Sequence, residues 1–207
     1  MMNKTLRLFW VGSLVLAALL VVALIVGSIR HPGINYGQRV HFEGTPSWVY
    51  ALVGQVTNQP ILLAMVTNQY GTFVAYACDS QHTSEWFGGL LDGTTVDFTN
   101  NDGSRFQATL TAHDAQGTLT LPGGAPLAFT LGLATKPAGL YRAKDSIKGV
   151  GYLAGWVLLA DGRQAGMIEN GSQQFMPAPR LDPTHPTISL PGGGTLAPQL
   201  ITPDSDL

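Results

Sequence analysis

A chain of 207 residues with 12% charged residues and a formal net charge of −2 carries little for an electrostatic partner to grip. Ordinary soluble domains are about one quarter charged, and holding nucleic acid needs clustered Lys and Arg set against phosphate, so nucleic-acid binding is set aside. The single cysteine, Cys78, excludes an intramolecular disulfide and reads as a small buried apolar residue.

The first element in chain order is an uncharged run from Leu8 to Ile29, 22 residues long. As a helix at about 1.5 Å per residue it would measure roughly 33 Å, close to the thickness of a bilayer's hydrocarbon core. A cleaved export signal would have a shorter apolar stretch ending in a small-x-small site; Val26 and Ser28 offer only a poor one. The expectation is one uncleaved transmembrane helix over 8–29. Lys4 and Arg7 precede it, which favours residues 1–7 in the cytoplasm and the rest of the chain outside the cytoplasmic membrane. From His31 onward there are eight Lys/Arg against thirteen Asp/Glu, a net of −5. A domain of that sign is not drawn to an anionic surface, so the helix would be what keeps it at the membrane.

Residues 30–46 read as a linker, punctuated by Pro32, Gly33, Gly37, Gly44 and Pro46. From residue 47 to residue 170 the hydrophobic period is two. Phe106, Ala108 and Leu110 alternate with polar neighbours, as do Leu127, Phe129, Leu131 and Leu133, and Val96 with Phe98. Such alternation marks strands with one buried and one wet face. Trp48–Val56, Ile61–Val66 and Thr72–Cys78 are apolar on both faces, which predicts strands covered on two sides, with a short helix as the alternative that periodicity alone does not exclude.

Turns are signalled by Asp92-Gly93, Asp102-Gly103, Asp161-Gly162 and Asn170-Gly171, dipeptides that accept the positive φ of tight hairpins, with Gln116-Gly117 and Gly123-Gly124 adding two more. Eight to ten short strands joined this way predict a mainly β domain, an antiparallel meander closing as a small barrel, with a two-sheet sandwich as the alternative. Residues 134–150 read as the longest connection, with Gly139–Arg142 as a short strand inside it.

From residue 171 to 207, seven prolines from Pro177 to Pro203 exclude a long helix or a central strand. One further hairpin is expected at 187–197. Its sequence, TISLPGGGTLA, repeats TLTLPGGAPLA of residues 118–128 at seven of eleven positions. Two hairpins sharing turn chemistry explain that better than a duplication, because the flanks do not match.

Few residues point to chemistry. Asp79, His82 and Glu85 lie within seven positions and could serve a metal or a hydrolytic site. They lack the Cys or paired-His spacing of zinc sites, and the G-x-S-x-G elbow of esterases is absent. A polar loop after Cys78 is the simpler reading. Asn100–Gly103 resembles the start of a calcium loop but lacks a Glu at position 12, where Thr111 stands. Tyr76, Trp86, Phe87, Tyr141, Tyr152 and Trp156 read first as core and second as the lining of an apolar cavity. The candidate ligand-binding set is therefore Tyr76, Asp79, His82, Glu85, Trp86, Tyr141, Arg142 and Trp156, with no catalytic residue, metal or cofactor assigned.

The ordered segments Ala75–Asp79 (AYACD), Glu85–Phe87 (EWF), Gly139–Arg142 (GLYR) and Gly155–Gly162 (GWVLLADG) resemble a pattern in exported or membrane-anchored bacterial β-rich proteins. The resemblance covers roughly residues 48–168. It implies a bacterial cell-envelope setting and no activity. The reading that follows is a single-pass, membrane-anchored, extracytoplasmic β-domain acting as a non-enzymatic binding module, for a protein partner or a small apolar ligand. The alternatives are an accessory subunit of a larger membrane complex and, more remotely, an envelope hydrolase.

Overall fold

The computed structural model describes residues 50–205 and 207. The expected transmembrane helix lies outside these residues, and among the described residues no helix is long and apolar enough to cross a membrane.

The described chain is β throughout. Strands β1 (Ala51–Val56), β2 (Leu62–Thr67), β3 (Thr72–Cys78), β4 (Ser84–Leu90), β5 (Thr95–Thr99), β6 (Arg105–Leu110), β7 (Asp114–Thr120) and β8 (Leu127–Leu133) form one antiparallel sheet. Its order is β4-β3-β2-β1-β8-β7-β6-β5. Each half is a meander, and β1 pairs with β8 from Leu52↔Leu133 to Val56↔Phe129. The order is therefore cyclic, and the sheet is nearly closed as a barrel. Between β4 and β5 one isolated bridge, Asp92↔Thr95, stands in place of a ladder.

The alternation dictates the interior. Phe73, Phe87, Phe106 and Phe129 point inward with Leu52, Leu63, Met65, Leu119 and Leu131. Phe106 is the hub: its ring stacks on Phe129 at 5.1 Å and on Phe87 at 5.4 Å. Stacked rings fill the centre, so the barrel is a packed core rather than a ligand cavity. Gly54 and Gly117 let the wall coil tightly. A Cβ at Gly117 would stand 1.8 Å from the Gln107 carbonyl oxygen, and one at Gly54 would stand 2.2 Å from that of Thr130. This is why Gln116-Gly117, expected at a turn, lies inside β7; the turn before β7 is at 111–113.

A second antiparallel sheet lies over the outer face of β2 and β3. It contains β9 (Gly139–Ile147), β10 (Val150–Leu158), β11 (Gln164–Asn170), β12 (Phe175–Pro177) and, after the short hairpin β13 (Ile188–Ser189)–β14 (Thr195–Leu196), β15 (Gln199–Leu200). Its order is β12-β11-β10-β9-β15. Leu62, Ala64, Val66, Val74 and Tyr76 meet Leu140, Val157, Ala165 and Met167 between the sheets. Burial on both faces explains the doubly apolar sequence of β2 and β3.

The segment expected to be mainly a connection is thus a nine-residue strand, β9. Its exposed Lys144, Asp145 and Ser146 hide the pattern in the sequence. The proline-rich segment is a cover. Leu181, Ile188, Leu190 and Leu196 are buried on the remaining face of the second sheet, against Tyr141, Ala154 and Trp156. Its strands are edge or isolated pairs, as its prolines require. The repeated LPGG sequences make different turns: the positive φ falls on Gly123 in the first and on Gly193 and Gly194 in the second.

Candidate functional site

The expected site residues fall into separate places. Tyr76 and Trp86 stack at 4.2 Å between the barrel and the second sheet. The Tyr76 hydroxyl pairs with Ser84 Oγ at 3.0 Å. Burial drives the Tyr76 phenol pKa far upward and also raises that of the Cys78 thiol. Neither group is poised to lose a proton at neutral pH, so a thiolate nucleophile at Cys78 is disfavoured.

Tyr141 and Trp156 lie on the opposite face of the second sheet. The Tyr141 hydroxyl donates to the Pro137 carbonyl at 2.8 Å, and Trp156 Nε1 donates to the Pro179 carbonyl at 3.0 Å. Their polar tips are satisfied by the β8–β9 connection and the proline-rich cover. Arg142 pairs in register with Gly155 on β10 and with Gln199 on β15. These aromatic residues therefore line no common cavity with Tyr76 and Trp86.

Asp79, His82 and Glu85 belong to the end of the barrel that carries the β3–β4 and β5–β6 turns, here the distal end. Asp79 Oδ1 accepts the backbone N–H groups of Gln81, His82 and Thr83, each at 2.8 Å. Partial burial pulls the Asp79 pKa up, but these bonds and the Thr83 hydroxyl outweigh it and leave the pKa below the usual value. The carboxylate is committed to shaping its own turn. His82 is exposed and contributes its backbone to that turn. Ser80 holds φ at 62°, and its Oγ accepts the Gly166 N–H at 2.8 Å, tying the turn to β11. No group of three or more His, Cys, Asp or Glu among the described residues is arranged to hold a metal ion.

Glu85 does something different. It shares the inward side of β4 with Phe87 and meets the β5–β6 turn across the strand gap. Ser104, fully buried, places Oγ 3.2 Å from Glu85 Oε2, 2.8 Å from Asp102 Oδ1 and 3.0 Å from Asn100 Nδ2. Asn100 Nδ2 also donates to the Trp86 carbonyl at 3.0 Å. One hydroxyl proton serves one carboxylate at a time. Burial raises the Glu85 pKa, the negative charge of Asp102 raises it further, and the Ser104 hydrogen bond only partly offsets them. Asn100, Asp102 and Ser104 thus form a clasp, through a turn whose sequence signals only a hairpin. Gly103 N–H closes that turn on the Asn100 carbonyl at 3.1 Å.

The other extended feature is the outer face of β5–β8. Register aligns Thr95, Thr109, Gln116 and Thr130 in one row across four strands. Asp97, Gln107 and Thr118 form the next row. Asp97 is held by Arg105 at 2.6 Å with both side chains about half exposed, a geometry worth little in water. Adjacent strands lie about 4.8 Å apart, so the face is a regular grid of hydroxyls and amides. The equivalent face of β2 and β3 is buried under the second sheet.

No family model and no curated protein matches the chain. Among solved structures, one from Nitrosomonas europaea described as a candidate AttH matches at 7% identity, covering 74% of this chain and 76% of that one. Its TM-score of 0.20 is too low to carry an argument about fold or function.

Proposed function

We propose that this protein is a membrane-tethered, non-enzymatic interaction module of the cell envelope, and that the outer face of β5–β8 is its contact surface for a protein partner. The observation that carries the reading is the contrast between the two halves of the barrel wall. One half is covered by the second sheet; the other presents ordered rows of Thr and Gln. Strands of low charge and high hydrogen-bonding capacity suit a polar, neutral protein surface, where complementarity rather than net charge selects the partner. The uncharged run at 8–29 supports a tether, which would confine the module near other membrane-held components and raise its effective concentration toward them.

The test is a pull-down of the full chain from membranes in mild detergent, beside the double variant Gln107→Lys/Thr118→Lys. Loss of a reproducible partner from the variant, with an unchanged melting curve, supports the assignment. Retention of every partner removes the β5–β8 face from consideration.

A further inference from the structure

We infer that the proximal end of the barrel rests on a lipid surface, with Tyr70, Leu90 and Leu133 seated in the bilayer's interfacial zone. The inference deepens the membrane-tethered reading and rests on it. The proximal end is the one at which Tyr50 leads into β1. Strand direction also places there the β2–β3, β4–β5 and β6–β7 turns and the C-terminal end of β8.

The large apolar side chains exposed among the described residues are Tyr70 at 61%, Leu90 at 71%, Leu133 at 48%, Val150 at 39% and Phe175 at 51%. The first three belong to this one mouth: Tyr70 in the β2–β3 turn, Leu90 at the end of β4 and Leu133 at the end of β8. The distal mouth presents Thr57, Asn58 and His82 instead. Exposed leucines are unremarkable singly, but their concentration at one end marks a surface that meets something apolar. Tyrosine adds an apolar ring with a polar tip, the combination enriched where acyl chains meet headgroups.

The covalent chain selects the occupant. Residues 30–49 separate the uncharged run from Tyr50 at this mouth. Fully extended they would reach at most about 70 Å, and because they enter the domain at this mouth, a tether would act on this end of the barrel first. The charged residues of these turns and of the segment after β8 are Asp92, Asp114 and Lys136, which give no net pull toward anionic lipid. The contact would therefore depend on apolar insertion and hold on zwitterionic lipid.

The experiment uses the full chain in phosphatidylcholine nanodiscs, with a nitroxide placed through Tyr70→Cys, Leu90→Cys or the distal control Thr57→Cys. The parent chain, whose Cys78 is buried, serves as the labelling blank. Labels at 70 and 90 are expected to collide several-fold less often with a water-soluble nickel chelate than the label at 57, and more often with oxygen. Nickel collisions equal to those at 57, in a chain that withstands alkaline carbonate extraction, overturn this inference and leave the tether standing. Dipolar broadening between labels would assign the surface to a second copy and also overturn it. A chain released by carbonate overturns the tether and this inference together.

Discussion

Gly155 lies directly over the Tyr76 ring: a Cβ at residue 155 would stand 2.7 Å from Tyr76 Cε1 and 2.6 Å from Trp86 Cζ2. The absent side chain lets β10 settle on the stacked pair that separates the barrel from the second sheet. Gly155→Ala must push against the fully buried Tyr76 ring and the partly buried Trp86 ring stacked on it. The expected cost is about 1–3 kcal/mol, read as a lower urea midpoint for the full chain in detergent. An unchanged midpoint would mean that the second sheet shifts freely on the barrel.

Glu85 and Ser104 make the stability depend on pH in an unusual direction. Burial and the charge of Asp102 raise the Glu85 pKa in the folded chain. Between the unfolded and folded values the native state holds the extra proton, so this group's contribution falls as pH rises through that window and stays low above it. Glu85→Gln should therefore raise the melting temperature at neutral pH and converge with the parent at acid pH. Asp79, whose pKa is lowered, pulls the other way in both chains, so the difference between the two melting curves against pH is the quantity to measure. A difference that does not change with pH would refute the assignment.

Removing the Ser104 hydroxyl strips the clasp of its central group. Ser104→Ala leaves Glu85 and Asn100 each short of a partner at a half-buried site, at an expected cost of about 1–3 kcal/mol. Its more specific sign is faster amide exchange at Trp86–Leu90 and Val96–Thr99, with exchange in β1 and β8 unaffected. Uniformly faster exchange throughout the barrel would point to general destabilisation instead.

The proline-rich cover is expected to behave as core. Leu196 is fully buried, in the cluster that contains Trp156. Leu196→Ala should cost about 2–5 kcal/mol, visible as lost thermal stability and a red-shifted Trp emission. No change in either would show that the segment contributes nothing to the fold.

Much of the barrel was legible because period-two alternation is a local signal. Phe106, Ala108 and Leu110 mark β6 without knowledge of any partner, and the doubly apolar β2 and β3 announce a second covering layer without saying what it is. Gly93, Gly103 and Gly162 take the positive φ their turn dipeptides require, while in the Asn170 turn it is Gln173 that does so. Gln116-Gly117 misleads because a glycine that permits close strand approach looks the same in sequence as one that makes a turn. The contacts of the proline-rich cover, and the clasp, lie beyond local reading. Ser104 meets Glu85 across nineteen positions and across the β4–β5 gap, a contact that no local pattern announces.

The pairing of β1 with β8 bears on how the chain acquires its shape. β1 must wait for β8 to be made and delivered before Val56 can pair with Phe129, whereas each four-strand meander can zip from its own hairpins. Pairing between strands so distant in sequence is entropically slow. Until it happens, the inner faces that carry Leu63, Met65 and Phe73 on one half and Phe106, Leu119 and Phe129 on the other lack each other's cover.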